Sequence, residues 1–131
     1  AVDWSRLSSA VESIETAIRT ALADEGEQVH AYTHLSHVYG QGSSIYTTYL
    51  FRLGDSYQQA MQRWQKLKSA GANATVACGG TISHQHGVGL DHRDYLVAEK
   101  GELGLASIAA LCKLFDPNGQ MNPGKLLADE Q

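Results

Sequence analysis

The sequence predicts an α+β fold in which a small antiparallel sheet is packed with helices. Two runs rich in aromatic and β-branched residues, 29–39 and 43–53, are separated by the short break Gly40–Gly42, a pattern typical of a β-hairpin. Segments with apolar residues at spacings of three and four stand before and after the hairpin and predict amphipathic helices. Because two strands make a poor sheet by themselves, we expect the chain to be part of a larger structure.

The first helix is predicted from an apolar stripe that recurs every three or four residues: Trp4, Leu7, Val11, Ile14, Ile18 and Leu22. Asp3 or Ser5 is expected to cap its start, and Gly26 to end it. The hairpin follows. In its second strand, Ile45, Thr47 and Tyr49 face one side and Tyr46 faces the other, so Tyr46 is expected to meet an environment different from the core.

Three later segments complete the prediction. Asp55 is expected to cap a second helix that ends at Gly71, with Tyr57, Met61, Trp64 and Leu67 in the core. A short helix over 91–100 precedes a last one with an apolar stripe from Leu105 to Phe115, which ends before Asp116-Pro117 because proline disfavours helix at the preceding residue. The remaining tail, 116–131, is rich in turn-forming residues and is expected to lie extended on another surface.

The bulk properties exclude several functions. A formal net charge of −4 over 131 residues, with scattered basic residues, argues against nucleic-acid binding. No run of 18 apolar residues and no signal peptide is present, so we expect no transmembrane segment. Cys78 and Cys112 lack the spacing of a metal or redox motif and are predicted to be buried thiols in a reducing compartment, which favours a cytoplasmic protein.

The most unusual segment is Gly79–Gly89, which reads Gly-Gly-Thr-Ile-Ser-His-Gln-His-Gly-Val-Gly. Glycine is kept where the backbone must be left-handed or must approach another group closely. A loop of this composition is expected to bring His84 and His86 to a ligand. A turn that holds two solvated histidines is the alternative.

The six histidines raise the possibility of a metal site, which the pattern does not favour. On a strand, His30 and His34 share one face and His37 lies on the other, so the three do not converge without a bulge. No Asp or Glu stands between Glu27 and Asp55 to complete a ligand set. We therefore expect no metal.

General acid–base chemistry fits the residues better. An imidazole titrates near neutral pH and can exchange a proton with a phenol, so Tyr46 with His84 and His86 offers such a pairing. A simple cross-strand aromatic contact of Tyr46 is an equally open interpretation.

Three motifs occur in order: His37-Val-Tyr-Gly-Gln-Gly-Ser-Ser-Ile-Tyr46, the Gly79–Gly89 loop, and Phe115-Asp-Pro-Asn-Gly-Gln-Met-Asn-Pro-Gly-Lys-Leu. Together they resemble the C-terminal part of FAD-linked oxidases of the vanillyl-alcohol-oxidase superfamily, most of all its alkyldihydroxyacetonephosphate synthase branch and bacterial relatives. The resemblance covers about residues 28–127.

The resemblance implies that residues 1–115 are half of a cap, or substrate, domain and that 116–131 return to an FAD domain absent from this chain. FAD is then bound mainly by that missing domain. It also implies that Tyr46 is the acid–base tyrosine and that His84 and His86 belong to the family's histidine run. Loop glycines Gly87 and Gly89, with Asn122 in the tail, are expected at the cofactor.

The departures from the family bear on the substrate. His37 and Gln85 are expected in the substrate pocket, but the synthases have histidine where this chain has Gln85. The related metal-dependent 2-hydroxyacid dehydrogenases have histidine at the position of Tyr46 and glutamate at that of Gln85, so of their ligands only His37 is kept. The substrate stays open as a small or lipid-like molecule.

We therefore expect a fragment of a flavin enzyme that is inactive alone. Its exposed former interface would drive it to form a homo-oligomer. A stand-alone α+β module for small-molecule binding or dimerisation is the alternative, and a metal-dependent hydrolase built on the histidines is a third reading.

Overall fold

A computed structural model describes residues 1–128 and confirms the α+β class. Its elements are β1 (Val2–Asp3), α1 (Leu7–Thr20), β2 (His30–Val38), β3 (Gly42–Leu50), α2 (Tyr57–Ala77) and α3 (Leu96–Phe115). Short 3-10 turns lie at Trp4–Arg6, Ala23–Glu25 and Arg93–Tyr95. The chain forms two compact units, Ala1–Gly80 and the part that begins at Thr81, and each is described by itself. The predicted division into a cap-domain part, 1–115, and a segment that returns to an FAD domain, 116–131, stays a prediction.

The first unit is built on the predicted hairpin. β2 and β3 pair antiparallel, and β1 adds a short third strand on the far side of β3, so that the order is β1-β3-β2. The two-residue β1 is too short to leave a sequence pattern. Gly42 makes room for β1, because a Cβ at this position would overlap the carbonyl oxygen of Val2.

The core of the first unit lies between one face of this sheet and the helices α1 and α2. Its buried members come from α1 and the turn after it, from α2, and from the residues around the start of β2: Ile14, Ile18, Leu22, Leu67, Val29 and Ala31. Ile45, Tyr49 and Phe51 pack against this cluster, as the alternation along β3 predicts. Tyr46, on the opposite face, is 42% exposed. This face carries no helix of the first unit and is called the helix-free face below; it presents Tyr46.

The predicted start of the first helix is wrong in detail. Residues Trp4–Arg6 form a 3-10 turn, α1 begins at Leu7, and neither Asp3 nor Ser5 caps it with a side chain. The predicted end is wrong as well, because α1 ends at Thr20. Gly26, with a left-handed φ of 69°, instead ends the following 3-10 turn Ala23–Glu25.

The second helix differs from its prediction at both ends. Ser56, not Asp55, caps α2, since its hydroxyl accepts a hydrogen bond from the Gln59 backbone N–H at 3.1 Å. The helix also continues past Gly71 to Ala77. A Cβ on Gly71 would lie 3.3 Å from Cδ1 of Ile18, so this glycine serves the close approach of α1 and α2.

The buried stripe of α2 is not the predicted one. Leu67 is buried, but Tyr57 and Met61 are exposed, and Trp64 is half-buried. Arg63 is buried instead: it donates to the carboxylates of Glu25 at 2.7 Å and Glu27 at 3.3 Å, and to the Arg52 carbonyl at 2.7 Å. These charged partners allow an arginine to take a core position.

The second unit contains the glycine–histidine loop, α3 and the tail. Gly101 has a non-helical φ of 66° and interrupts α3, in agreement with two predicted helical segments, and α3 ends at Phe115 as predicted. Leu111 and Phe115 of the expected stripe are exposed. The expectation of two buried thiols is wrong, because Cys112 lies exposed on this helix and Cys78 is only half-buried.

Candidate functional site

Tyr46 is paired across the hairpin with a histidine. The strand register places His34 opposite Tyr46, and their rings stack with centroids 5.0 Å apart and planes 28° from parallel. Tyr32 and His30 continue the same face of β2, with their rings 5.9 Å apart. The exposed face of the hairpin therefore presents alternating imidazole and phenol groups, and Tyr46 is accessible at one end of the row.

Beyond this pair the ladder has a bulge that places His37. Between Leu35 and Val38 two residues of β2, Ser36 and His37, stand opposite one residue of β3, Ser44. The Ser44 hydroxyl bonds to the Ser36 hydroxyl at 2.8 Å and accepts from the His37 backbone N–H at 2.9 Å. These bonds satisfy backbone and hydroxyl groups at the irregularity.

A second serine completes this network. The Ser43 hydroxyl donates to the His37 carbonyl at 2.8 Å, and both Ser43 and Ser44 are buried. The His37 ring lies 6.5 Å from that of Tyr39, nearly parallel to it. Ser43 and Ser44 of the first motif thus have a structural role, because they hold the bulge that contains His37. The place of His37 in a substrate pocket stays a prediction.

The glycine–histidine loop is exposed at its centre. His84, Gln85 and His86 are all exposed, and the Gln85 amide nitrogen lies 3.4 Å from Nε2 of His86. The Ser83 hydroxyl donates to the Gly87 carbonyl at 2.6 Å and closes the loop around the three residues. The side chains are thus presented outward on a short, internally bonded turn.

Gly87 and Gly89 adopt left-handed φ values of 78° and 59°. No described atom of the second unit lies within 4 Å of the place that a Cβ would take on either residue. Backbone conformation alone thus favours glycine at both positions, and open space beside them lets a ligand approach the main chain closely.

The tail is tied to this loop. The Leu126 N–H donates to the Gly89 carbonyl at 3.1 Å, and Arg93 Nη1 donates to the Gly124 carbonyl at 2.6 Å. Asn122 has a φ of 47°, a conformation that asparagine tolerates better than most residues. Its carbonyl accepts from the Lys125 N–H at 3.0 Å. The second unit thus connects Gly89 to the tail segment that carries Asn122.

Asp116 organises the turn between α3 and the tail. Its carboxylate accepts from the Met121 backbone N–H at 2.6 Å. This bond, together with those from the N–H groups of Gln120 and Gly119, holds the pKa of the Asp116 carboxyl below its ordinary value. The Asp-Pro-Asn-Gly segment of the third motif is therefore a carboxylate-fixed turn.

One cleft of the first unit lies away from Tyr46. It has a volume of about 560 Å³ and is formed by residues where β2 begins and β3 ends: Gly26, Glu27, Gln28, Val29, His30, Leu50, Phe51 and Arg52. Tyr46 lies on β3 four residues before Leu50 and does not line this cleft.

The structure therefore brings some predicted site residues together and leaves other pairings as predictions. His84, Gln85, His86, Gly87 and Gly89 share one loop, whereas the pairing of Tyr46 with His84 and His86 stays a prediction. His34 is the partner of Tyr46 that the sequence prediction missed. Among residues 1–128, no three His, Cys, Asp or Glu side chains group together as a metal site would require, and the expectation of no metal stays a prediction.

The sheet face of the first unit carries a phenol and imidazoles, and the glycine loop of the second unit carries two exposed histidines. Side chains of these types are the ones that acid–base catalysis uses. The family model for the C-terminal domain of FAD linked oxidases matches residues 1–126. The chain belongs to this family.

Individual relatives agree with the family match. The chain is 26% identical over 115 residues to the alkyldihydroxyacetonephosphate synthase of Trypanosoma brucei brucei, covering 88% of this chain and 18% of that protein. It is 28% identical over 130 residues to the FAD-linked oxidoreductase YgcU of Escherichia coli (strain K12), covering 98% of this chain and 27% of that protein. A shorter segment of 49 residues is 47% identical to the D-2-hydroxyglutarate dehydrogenase of Stutzerimonas stutzeri (strain A1501), covering 37% of this chain and 11% of that protein.

The chain thus spans between about a fifth and about a quarter of the first two relatives. Family membership implies FAD. The left-handed glycines of the loop have open space beside them and so fit a cofactor that approaches the main chain closely, and their contact with FAD stays a prediction. Within the described part of the chain, no helix is long and apolar enough to cross a membrane.

Proposed function

We propose that this chain is the substrate-side domain of a larger FAD-dependent enzyme, either an oxidoreductase or a synthase like alkyldihydroxyacetonephosphate synthase. The missing FAD domain is its partner and holds most of the cofactor. The observation that carries the proposal is the family match over residues 1–126, joined to an accessible tyrosine on the helix-free face of the hairpin.

In this proposal Tyr46 exchanges a proton with the substrate through its phenolic oxygen. Its position supports that role: β3 is paired with β2 at this residue, where His34 stands opposite Tyr46, so the backbone that carries Tyr46 is held in the sheet, while the side chain remains 42% exposed. Positioned acids and bases of this kind contribute roughly 10²- to 10⁴-fold to a rate.

His84 and His86 are the proposed proton partners of Tyr46, and Gln85 and His37 the substrate contacts. Imidazoles are suited to this relay because they titrate near neutral pH. The main chain at Gly87 and Gly89, with Asn122, would contact the cofactor. The flavin, when bound, supplies an acceptor or donor of two electrons.

The substrate is proposed as a small or lipid-like molecule, and relatives named for different substrates support keeping both classes open. The isolated chain is proposed to be inactive, since it holds only one wall of the site. Exposed apolar residues on α3, such as Leu103 and Leu114, support the proposal that the chain alone self-associates.

The decisive experiment is Tyr46→Phe in the complete flavoenzyme. Turnover should fall by about 10²-fold or more because the proton-transferring hydroxyl is removed. Flavin absorbance should be unchanged. Tyr32→Phe is the matched control, since it removes a phenolic hydroxyl from the same exposed face of the hairpin. Turnover of Tyr46→Phe equal to that of the unaltered enzyme would disprove the role.

A separate test addresses the larger architecture. The reading frame upstream of Ala1 should continue into a flavin-binding domain, and the 131-residue chain alone should leave FAD fluorescence unchanged at micromolar concentration. A start codon immediately before Ala1 would instead favour a stand-alone binding or dimerisation module.

A further inference from the structure

The environment of Tyr46 contains a group that the acid–base proposal does not use. His34 lies directly opposite Tyr46 in the antiparallel ladder, and the two rings are stacked at 5.0 Å. The stack lies on the face of the sheet opposite the core cluster of the first unit. A ring on the facing strand restricts the rotamers that an aromatic side chain can adopt.

The cross-strand pairs on either side of the stack show which side chains neighbour Tyr46 on this face. Toward the turn, the hydroxyls of Ser36 and Ser44 bond to each other at 2.8 Å, and Ser44 is buried. Away from the turn, the next cross-strand pair on this face is Tyr32 and Thr48. The Tyr46 ring therefore has His34 beside it as its ring-bearing cross-strand neighbour.

We propose that His34 is a positioning residue for Tyr46: the imidazole stacks on the phenol and holds its hydroxyl in the orientation that meets the substrate. This inference rests on the proposed function of Tyr46. The contribution of His34 comes from the planar surface of its ring, so a different flat ring of similar size should replace it. Stacked aromatic pairs gain energy from ring contact beyond the area that they bury.

The chain offers a matched control within the same strand. His30 is also an exposed histidine on β2, it lies on the same face, and its ring contacts Tyr32 at 5.9 Å. Removing the His30 ring therefore also removes an imidazole–phenol contact, one that is tilted by 53° and does not involve Tyr46, at a position four residues from His34. An effect that is specific to Tyr46 will appear for His34 variants and not for His30 variants.

The experiment compares His34→Ala, His34→Phe and His30→Ala in the complete flavoenzyme. We expect His34→Ala to lower kcat about tenfold with KM changed less than about twofold, because a misaligned group slows the chemical step more than it weakens binding. His34→Phe should restore kcat to within about threefold of the unaltered enzyme, and His30→Ala should leave it unchanged. Unaltered kcat in His34→Ala, or an equal loss in His34→Phe, would overturn the inference.

A second measurement is independent of turnover. In the 131-residue chain with labelled tyrosine, the ring resonances of Tyr46 should shift in His34→Ala, stay displaced by a stacked ring in His34→Phe, and remain in place in His30→Ala. Unchanged Tyr46 resonances in His34→Ala would overturn the inference alone. Normal turnover of Tyr46→Phe would overturn the proposed function and, with it, any catalytic benefit of the stack. The Tyr46 resonances would still show whether His34 orders the Tyr46 ring.

Discussion

The hairpin and the glycine–histidine loop present their candidate groups in opposite ways. Tyr46 stands on β3, which is paired with β2 at this residue, on the face of the sheet opposite a cluster of six buried apolar residues. His84 and His86 stand on a loop in a unit whose buried residues, within 81–128, are Leu96 and Gly124. The first unit thus fixes the backbone that carries its candidate side chain by its own packing. The second unit relies on local hydrogen bonds and left-handed glycines.

The difference teaches where rigidity in the proposed site originates. The position of the Tyr46 backbone on the hairpin depends on the burial of apolar surface in the core of the first unit, which raises the free energy of unfolding. Position on the loop depends on turn geometry, such as the bond from the Ser83 hydroxyl to the Gly87 carbonyl at 2.6 Å. Substitutions in the two units should therefore have effects of different size and kind.

The largest contrast in stability is expected for one leucine in each unit. Leu67 is fully buried between α2 and the core, so Leu67→Ala should lower the free energy of unfolding by about 2–5 kcal/mol. Leu114 on α3 is 71% exposed, and Leu114→Ala should change it by less than about 0.5 kcal/mol. Urea unfolding followed by circular dichroism measures both.

A large loss in Leu114→Ala would show that α3 is packed more tightly than the second unit by itself indicates. Light scattering at several concentrations distinguishes the cause, because loss of an oligomer contact makes the change depend on concentration.

A smaller contrast is expected for two glycines. A Cβ on Gly42 would overlap the Val2 carbonyl, so Gly42→Ala should displace β1 and cost about 1–3 kcal/mol. Gly87→Ala meets open space in its own unit and should cost about 1–2 kcal/mol, from its φ of 78° alone.

Two measurements separate the causes. Chemical denaturation gives both costs, and amide exchange of Ser43 and its neighbours should report release of β1 in Gly42→Ala. Gly87→Asn is the control for backbone strain, because asparagine tolerates left-handed conformations. If Gly87→Asn is as costly as Gly87→Ala, backbone strain does not explain the loss.

The sequence predicted the hairpin well and the second helix poorly, for physical reasons visible in particular residues. Gly40–Gly42 separates two β-rich runs, and β2 ends at Val38 just before that break while β3 begins at Gly42. Gly71 has the appearance of a helix end, but it sits inside α2 because Ile18 of α1 passes close to it. The sequence does not distinguish a glycine that ends a helix from a glycine that lets a neighbouring helix pack closely.

The same limit applies to the candidate site. The alternation of side chains predicted that Tyr46 would leave the core. Its partner His34 depends on strand register, and the bulge at Ser36 and His37 shifts that register by one residue beyond Leu35. Whether two residues of β2 face one of β3 is decided by hydroxyl bonds across the ladder, which alternation in one strand does not contain.

The smallest expected effect compares two carboxylates whose pKa values are lowered for different reasons. In the first unit, the Lys66 ammonium and then the Arg63 guanidinium hold the pKa of Glu25 below its ordinary value of 4.5. In the second, backbone N–H groups, first that of Met121, lower the pKa of Asp116. Ion pairs at a surface are screened by salt, whereas hydrogen bonds from a fixed backbone are screened less.

Both carboxyls should titrate below their ordinary pKa at low salt, as read from side-chain carboxyl resonances. At about 1 M NaCl, where the screening length is about 3 Å, the pKa of Glu25 should rise toward 4.5 while that of Asp116 moves less. Because the folded-state pKa is lowered, the stability from Glu25 is present above pH 4.5 and is lost as the pH falls through the folded value. Glu25→Gln should therefore flatten the acid limb of the stability curve. Equal salt shifts for Glu25 and Asp116 would show that the turn at Asp116 depends on charge as much as the ion pairs do.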